Sequence, residues 1–498
     1  MDSFPILSVV TFLPLFGALL ILLFVHEDDD TVGSKMAQVI ALFMSLTVFV
    51  LSLDVVWRFD PADTGFQFVE RYAWIPAFHI DYIKGVDGLS VWFVMLSAFL
   101  TPSCILAARV TAKKRGKEFM VAILLLESMM IGVFTSLDFV LFYLFFEGIL
   151  IPMFLIIGVW GGEKRVYAAY KFFLYTLLGS VLMLVAIFVM AVHTGTTDMT
   201  KMMGGQFKGM ETWLWLAFFA SFAVKTPMWP FHTWLPYAHV EASTAGSVVL
   251  SGVLLKMGTY GFLRVSVQML PDASHYFAPM VIWLSLIGII YTSLVAMAQT
   301  DMKKVIAYMS VAHMAYVTLG IFCFNDQGFD GAMMVMLSHT FVSAALFLCV
   351  GVGYDRLHTR HIARYGGMAT NMPMYAFVFM VFMLASIAVP GTSGFVGEFL
   401  SMQGAFLINS WYGVLAAVGM VLVAAYMLVM YRRLFYGKLV NHDVAEMKDL
   451  DVREIATFLP LLVLVLWIGL YPATFRNVYS PTLSKMLTDF QAQVEHHD

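Results

Sequence analysis

Residues 222–244 read FAVKTPMWPFHTWLPYAHVEAST. An apolar helix reaches a lysine here, Lys225, and its backbone is then interrupted by Pro227, Pro230 and Pro236. Proline has no amide hydrogen and clashes with the carbonyl four residues earlier, so no regular helix survives all three. In a bilayer core nothing but protein or enclosed water can hydrogen-bond the freed backbone, so such a break needs a reason. Composition places the break in a bilayer. Of 498 residues, 60% are hydrophobic and 12% charged, with a mean hydropathy of +0.82, whereas a soluble domain is about 25% charged. The chain reads as a membrane protein.

Working outward from this stretch, a helix crosses a bilayer with about 20 apolar residues. About fourteen segments qualify: 4–25, 36–57, 86–108, 118–135, 137–159, 166–192, 213–237, 243–269, 277–298, 304–323, 330–353, 374–407, 411–435 and 454–475. Runs this long and continuous select an all-α polytopic helix bundle over a closed barrel. The first run, Phe4 to Val25, is too long for a signal-peptide core and lacks a basic start, so it is expected to be a retained helix.

Loop charge sets the orientation. Odd-numbered loops hold 18 cations: Lys35, Arg109, Lys113, Lys114, Arg115, Lys117, Lys164, Arg165, Lys303, Lys304, Arg356, Arg360, Arg364, Arg432, Arg433, Lys438, Lys448 and Arg453. Even-numbered loops and the tail hold seven: Arg58, Arg71, Lys84, Lys201, Lys208, Arg476 and Lys485. Both termini are therefore expected on the side away from the cytoplasm or matrix. On that side, residues 66–83 alternate around Pro76 like a hairpin, best read as scaffold. The acidic run Glu27–Asp30 reads as a solvated turn.

Several classes of function are disfavoured. A net charge of −4 argues against nucleic acid as a partner. Cys104, Cys323 and Cys349 are far apart, which argues against a metal or iron–sulfur site. Neither GxGxxG nor GxxxxGK[ST] occurs, so no nucleotide site is visible.

The charges inside the helices carry the functional signal. Glu147 (LFYLFFEGILIP), Lys225, Lys256 (SGVLLKMGTYG) and Glu398 (SGFVGEFLSM) all fall within apolar runs. Each costs roughly 3 kcal/mol at mid-membrane on insertion scales, so unpaired they would cost on the order of 10 kcal/mol together. They must be paired or hydrated. Snorkelling or capping can account for one such residue, but a set of them marks a pathway. His313 and His339 lie in successive helices, where imidazole relays protons near neutral pH. Glu127 is either a further partner or a helix contact, and His232 and His239 flank the break as capping or functional groups. The 36 methionines and the aromatic residues are read as packing.

A second break, LASIAVPGTSGFVGEFL, interrupts the helix that carries Glu398. Paired discontinuous helices are typical of transporters built from repeats. Glu147 to His313 spans 166 residues and Lys225 to Glu398 spans 173. The expected division is helices 1–3 with the hairpin at 1–117, a five-helix unit at 118–270 (broken helix 213–237) and a second at 271–435 (helices from 277, broken helix 374–407). A last helix and polar tail follow at 436–498. An odd number of helices per unit inverts the second relative to the first.

The stretch KTPMWPFHTWLPYAHVEASTAGSVVLSGVLLKMGTYG (225–261) resembles the signature of the antiporter-like proton-translocating subunits of respiratory complex I. HVEAST (239–244), GVDGLSVWF (85–93), SHTFVSAALFLCVG (338–351) and PGTSGFVGEF (390–399) resemble the branch called chain 4, or chain M in bacteria. The likeness covers nearly the whole chain, and the absence of a long lateral helix after the last span counts against the related chain 5. It implies fourteen helices in two inverted repeats and a proton path. The implied path has Glu147 and Lys225 as an ion pair, then Lys256, with His313 and His339 continuing to Glu398. It implies no cofactor or metal in this chain, with FMN, iron–sulfur clusters and quinone in partner subunits, among them two related antiporter-like subunits. The implied location is the bacterial inner membrane, with the mitochondrial inner membrane as the alternative. A multi-subunit sodium/proton antiporter is the rival reading.

Overall fold

The computed structural model describes residues 4–26, 31–108 and 115–495. The acidic run Glu27–Asp30 and the loop cations Arg109, Lys113 and Lys114 lie outside the described residues. In chain order the helices are α1 (Ile6–Phe24), α2 (Thr31–Arg58), α3 (Val91–Ala107), α4 (Gly116–Thr135), α5 (Phe139–Gly148), α6 (Leu150–Trp160), α7 (Arg165–Thr194), α8 (Glu211–Lys225), α9 (Trp234–Glu241) and α10 (Thr244–Val249). They continue with α11 (Leu255–Gly261), α12 (Pro271–Met297), α13 (Met302–Ile321), α14 (Asp326–Leu357), α15 (Pro373–Ser386), α16 (Ser393–Ile408), α17 (Ser410–Phe435), α18 (His442–Ala445), α19 (Val452–Leu470) and α20 (Ala473–Glu495).

Short polar residues start the buried helices. Asp138 caps α5 by accepting from the amides of Val140 and Leu141, Asp301 caps α13, and Asn325 caps α14. Among the described residues, 11 helical segments are long and apolar enough to cross a membrane, including Phe139–Trp160 and Thr244–Val267 as single units. α3 and the interrupted pairs α8–α9 and α15–α16 supply the remaining crossings. The expected fourteen-crossing bundle is what forms. Thr244–Val267 and α14 have their apolar windows 100% buried, against 33% for α2 and α19. The bundle's axis therefore runs through the segments that carry Lys256 and His339.

Ion pairs tie loops of one parity together, as a single orientation requires. Arg71, after α2, lies 2.6 Å from Asp198, after α7. On the other face Arg360 lies 3.4 Å from Asp301, and Arg356 pairs with Glu454 at 2.8 Å. The hairpin consists of β1 (Gln67–Ile75) and β2 (Ile80–Val86), antiparallel around a short 3₁₀ turn, so it runs three residues further than expected. It also caps α1. Pro5 offers that helix no side-chain cap, and the Glu70 carboxylate accepts instead from the amides of Leu7 at 2.7 Å and Ser8 at 3.1 Å. Beside it the buried Lys84 ammonium donates to Thr11 at 2.6 Å and Thr135 at 2.9 Å. The polar tail is helical: Tyr479 of α20 donates to Asp330 of α14 at 2.5 Å, and Phe490 stacks on Phe324.

Candidate functional site

Both helix breaks solve the same backbone problem in the same way. Pro227 cannot donate to the Ala223 carbonyl, which accepts instead from Met228, five residues on, at 2.7 Å. The Val224 carbonyl is thereby released and accepts from the Trp234 indole at 2.9 Å. In the second break Val389 donates to Leu384, again five residues back, at 3.1 Å. Ala388 at φ 57° and Gly391 at φ 91° turn the chain there. The Ser386 carbonyl at the end of α15 lies 3.1 Å from His313 Nε2. Each break thus exposes a carbonyl that a side chain from elsewhere answers.

The second break ends a row of buried polar groups. Lys256 is fully buried on α11, with a π-helical turn on either side, Leu250–Leu254 and Phe262–Val267. Such turns recur at functional sites because they displace the local hydrogen bonds. Its ammonium donates to the Ser251 carbonyl at 2.5 Å and meets His339 Nδ1 on α14 at 2.7 Å. The His339 ring lies edge to face with His313 on α13, with centroids 5.6 Å apart. His313 Nε2 lies 3.3 Å from the Glu398 carboxylate on α16. His313, His339, Ser338, Ser386 and Glu398 line a cavity of about 10 Å³, which is the scale of one water. The sequence points to Lys256, His313, His339 and Glu398 one by one; the fold makes the four neighbours.

At the other end the groups do not touch. Lys225 is the last residue of α8, 3% exposed, and its ammonium has no hydrogen-bond partner among the described residues. Glu147, partly buried near the end of α5, has Ser180 of α7 beside it and couples electrostatically to Lys225. The ion pair that the family resemblance implies is not closed, because no Glu147–Lys225 contact lies within the 4.0 Å of an ion pair. Instead the ammonium sits 4.5 Å from the centroid of the Phe146 ring. Toward Lys256 the packing is tight. A Cβ added to Gly258, two residues past Lys256, would come 2.5 Å from Thr226 Oγ1, so α8 and α11 meet nearly backbone to backbone.

Of two further groups at the site, the sequence leaves His239 open between capping and function and reads Lys303 only as a loop cation. His239 lies in the last turn of α9 with both ring nitrogens buried and without a hydrogen-bond partner among the described residues, stacked on Phe347 with centroids 4.4 Å apart and within electrostatic reach of Lys256 and Lys303. Lys303 looks like a loop charge, yet it is buried and donates to the Ala242 carbonyl at 2.7 Å. Nothing in the local pattern marks it. Near these groups a cavity of about 730 Å³ is lined by Lys164, Arg165, Glu241, Asp301, Lys304 and Arg360, mostly charges of the odd-numbered loops. Glu127 is fully buried on α4, outside the row. Two further cations are held locally: Lys171 lies over the Tyr237 ring at 3.9 Å, and Arg264 pairs with Asp87 at 2.7 Å.

Residues 136–424 match the family described as NADH:quinone oxidoreductase/Mrp antiporter, transmembrane. The chain is similar to the NADH-quinone oxidoreductase subunit M of Rhodobacter capsulatus, 52% identical over 503 residues and covering 98% of each chain. It is also similar to the NADH-ubiquinone oxidoreductase chain 4 of Marchantia polymorpha, 48% identical over 483 residues and covering 97% of each. Among solved structures, a chain of respiratory complex I from Thermus thermophilus with bound NADH superposes with a TM-score of 0.89 at 28% identity, over 97% of this chain and 99% of that one. A chain of the Mrp complex from a Dietzia species shares the fold, with a TM-score of 0.84 at 20% identity over 98% and 99%.

Proposed function

Because the chain belongs to the NADH:quinone oxidoreductase/Mrp antiporter transmembrane family, as a proton-translocating membrane-arm subunit of NADH:quinone oxidoreductase, we propose that Glu147, Lys225, Lys256, His339, His313 and Glu398 carry its protons. Whole-length identity to subunit M favours this assignment over the sodium/proton antiporter reading. The observation that carries the proposal is the buried row Lys256–His339–His313–Glu398, in which each group touches the next or meets it edge to face. Every member can hold or pass a proton.

A buried amine keeps its proton when a carboxylate is near and gives it up more readily when the carboxylate withdraws. Glu147 moving toward or away from Lys225 would therefore switch Lys225 between holding and releasing. The released proton passes across the close α8–α11 contact to Lys256, then through His339 and His313 to Glu398. The Ser386 carbonyl released by the second break and the water-sized cavity beside it give room for a water on that line, which is the reason for the break there. His239 and Lys303 link Lys256 toward the large charged cavity, a second branch from the cytoplasmic or matrix face. On this reading residues 118–270 and 271–435 are the two half-channels. Electron transfer, with its FMN, iron–sulfur clusters and quinone, belongs to partner subunits, and two related antiporter-like chains are among the partners of this one in the bacterial inner membrane. Proton-pumping assays on the assembled complex test the roles. Lys225→Ala and Glu147→Gln should abolish pumping, and Glu147→Asp should be milder. Full pumping by either of the first two refutes the assignment.

A further inference from the structure

Phe146 precedes Glu147 on α5 and is 1% exposed. Its ring packs on Phe142 at 5.5 Å and edge to face on Phe222 at 6.5 Å. Phe222 is itself fixed, since a Cβ on Gly261 would come 2.4 Å from its ring. The plane of Phe146 is thus set by aromatic packing in which Lys225 has no part. The Lys225 ammonium nevertheless lies 4.5 Å from the centroid of that ring, with no hydrogen bond to any other group among the described residues. An ammonium within about 6 Å of an aromatic centroid is attracted by the ring quadrupole, most strongly where water is absent.

We propose that Phe146 is a positioning residue for proton transfer, a second seat for the Lys225 ammonium when Glu147 does not hold it. Consecutive residues of a helix point about 100° apart, at 3.6 residues per turn. The carboxylate of Glu147 and the face of Phe146 therefore lie on neighbouring faces of α5. Lys225 carries its ammonium on a flexible four-carbon stem, which lets the charge move between the two seats. A ring attracts the charge without accepting its proton, so the seat holds Lys225 charged and unpaired, ready to transfer to the helix of Lys256. The proposal rests on the reading of Lys225 as a proton carrier.

The test replaces Phe146 in the assembled complex by mono-, di- and trifluorophenylalanine, which drain the π face at nearly constant shape. Proton pumping is measured per complex, normalised by NADH oxidation with a soluble dye acceptor. Pumping should fall stepwise along the series, by about threefold or more at the trifluoro ring, and Phe146→Trp should retain it. Fluorination leaves packing in place, so a merely structural ring would give a flat series. A flat series beside an inactive Lys225→Ala overturns the seat alone. Full pumping by Lys225→Ala overturns the carrier role and the seat with it.

Discussion

Replacing Lys256 separates stability from proton transfer. Lys256→Met deletes an ammonium that donates to the Ser251 carbonyl at 2.5 Å and meets His339 Nδ1 at 2.7 Å. Leaving each of those acceptors unpaired costs about 1–3 kcal/mol. Removing a charged amine from mid-membrane offsets this by roughly 3 kcal/mol. The two effects nearly cancel, so the variant should fold and assemble at close to wild-type abundance. The row, by contrast, loses its link between α11 and α14. NADH-driven pumping should fall at least about tenfold, equivalent to about 1.4 kcal/mol of barrier. Lys256→Arg refines the point, since a guanidinium keeps the charge and does not give up its proton in proteins. It too should assemble and fail to pump. The assay is acidification of inverted membrane vesicles by NADH, with dye-linked NADH oxidation reporting the amount of complex. Wild-type pumping by Lys256→Arg would show that only the charge of Lys256 matters, and the row would not be a relay.

Three further outcomes are expected. Trp234→Phe removes the donor that satisfies the Val224 carbonyl in the first break and should destabilise the complex by about 1–3 kcal/mol, seen as a lower melting temperature; an unchanged melt would mean another donor takes over. Glu70→Ala strips the hairpin's cap from α1 at a cost of about 1–2 kcal/mol, so the Leu7 and Ser8 amides should exchange with solvent faster than in the parent. Lys84 gives a pH dependence: burial pushes its amine down to about 7 from 10.5. Between those values the unfolded chain binds a proton that the folded hairpin does not, so seating of the hairpin strengthens as pH rises through that window. Amide exchange in β1 and β2, corrected for intrinsic rates, should slow from neutral to alkaline pH, and Lys84→Met should flatten the trend.

Much of this protein is written locally. Spans are legible because about 20 apolar residues are what a bilayer demands, whatever packs around them. The breaks are legible because Pro227, Pro230 and Pro390 cannot be accommodated in a regular helix. Glu147, Lys225, Lys256 and Glu398 stand out because charge in oil is expensive wherever it sits. Contact is a different matter. That His339 meets Lys256 while Lys225 meets a ring and not its carboxylate depends on how α5, α8, α11 and α14 rotate against one another. A rotation of one residue's worth would reverse it, and no local pattern encodes it. Lys303 looks like an ordinary loop cation until the tertiary fold buries it on the Ala242 carbonyl, and Phe146 looks like core until an ammonium is found on its face. Hydropathy and proline act through each residue's own solvation and covalent geometry, so the sequence alone determines the spans, the breaks and the buried charges. Hydrogen bonds and ring contacts depend on distances between segments far apart in the chain, so only the tertiary structure decides which charges are partners.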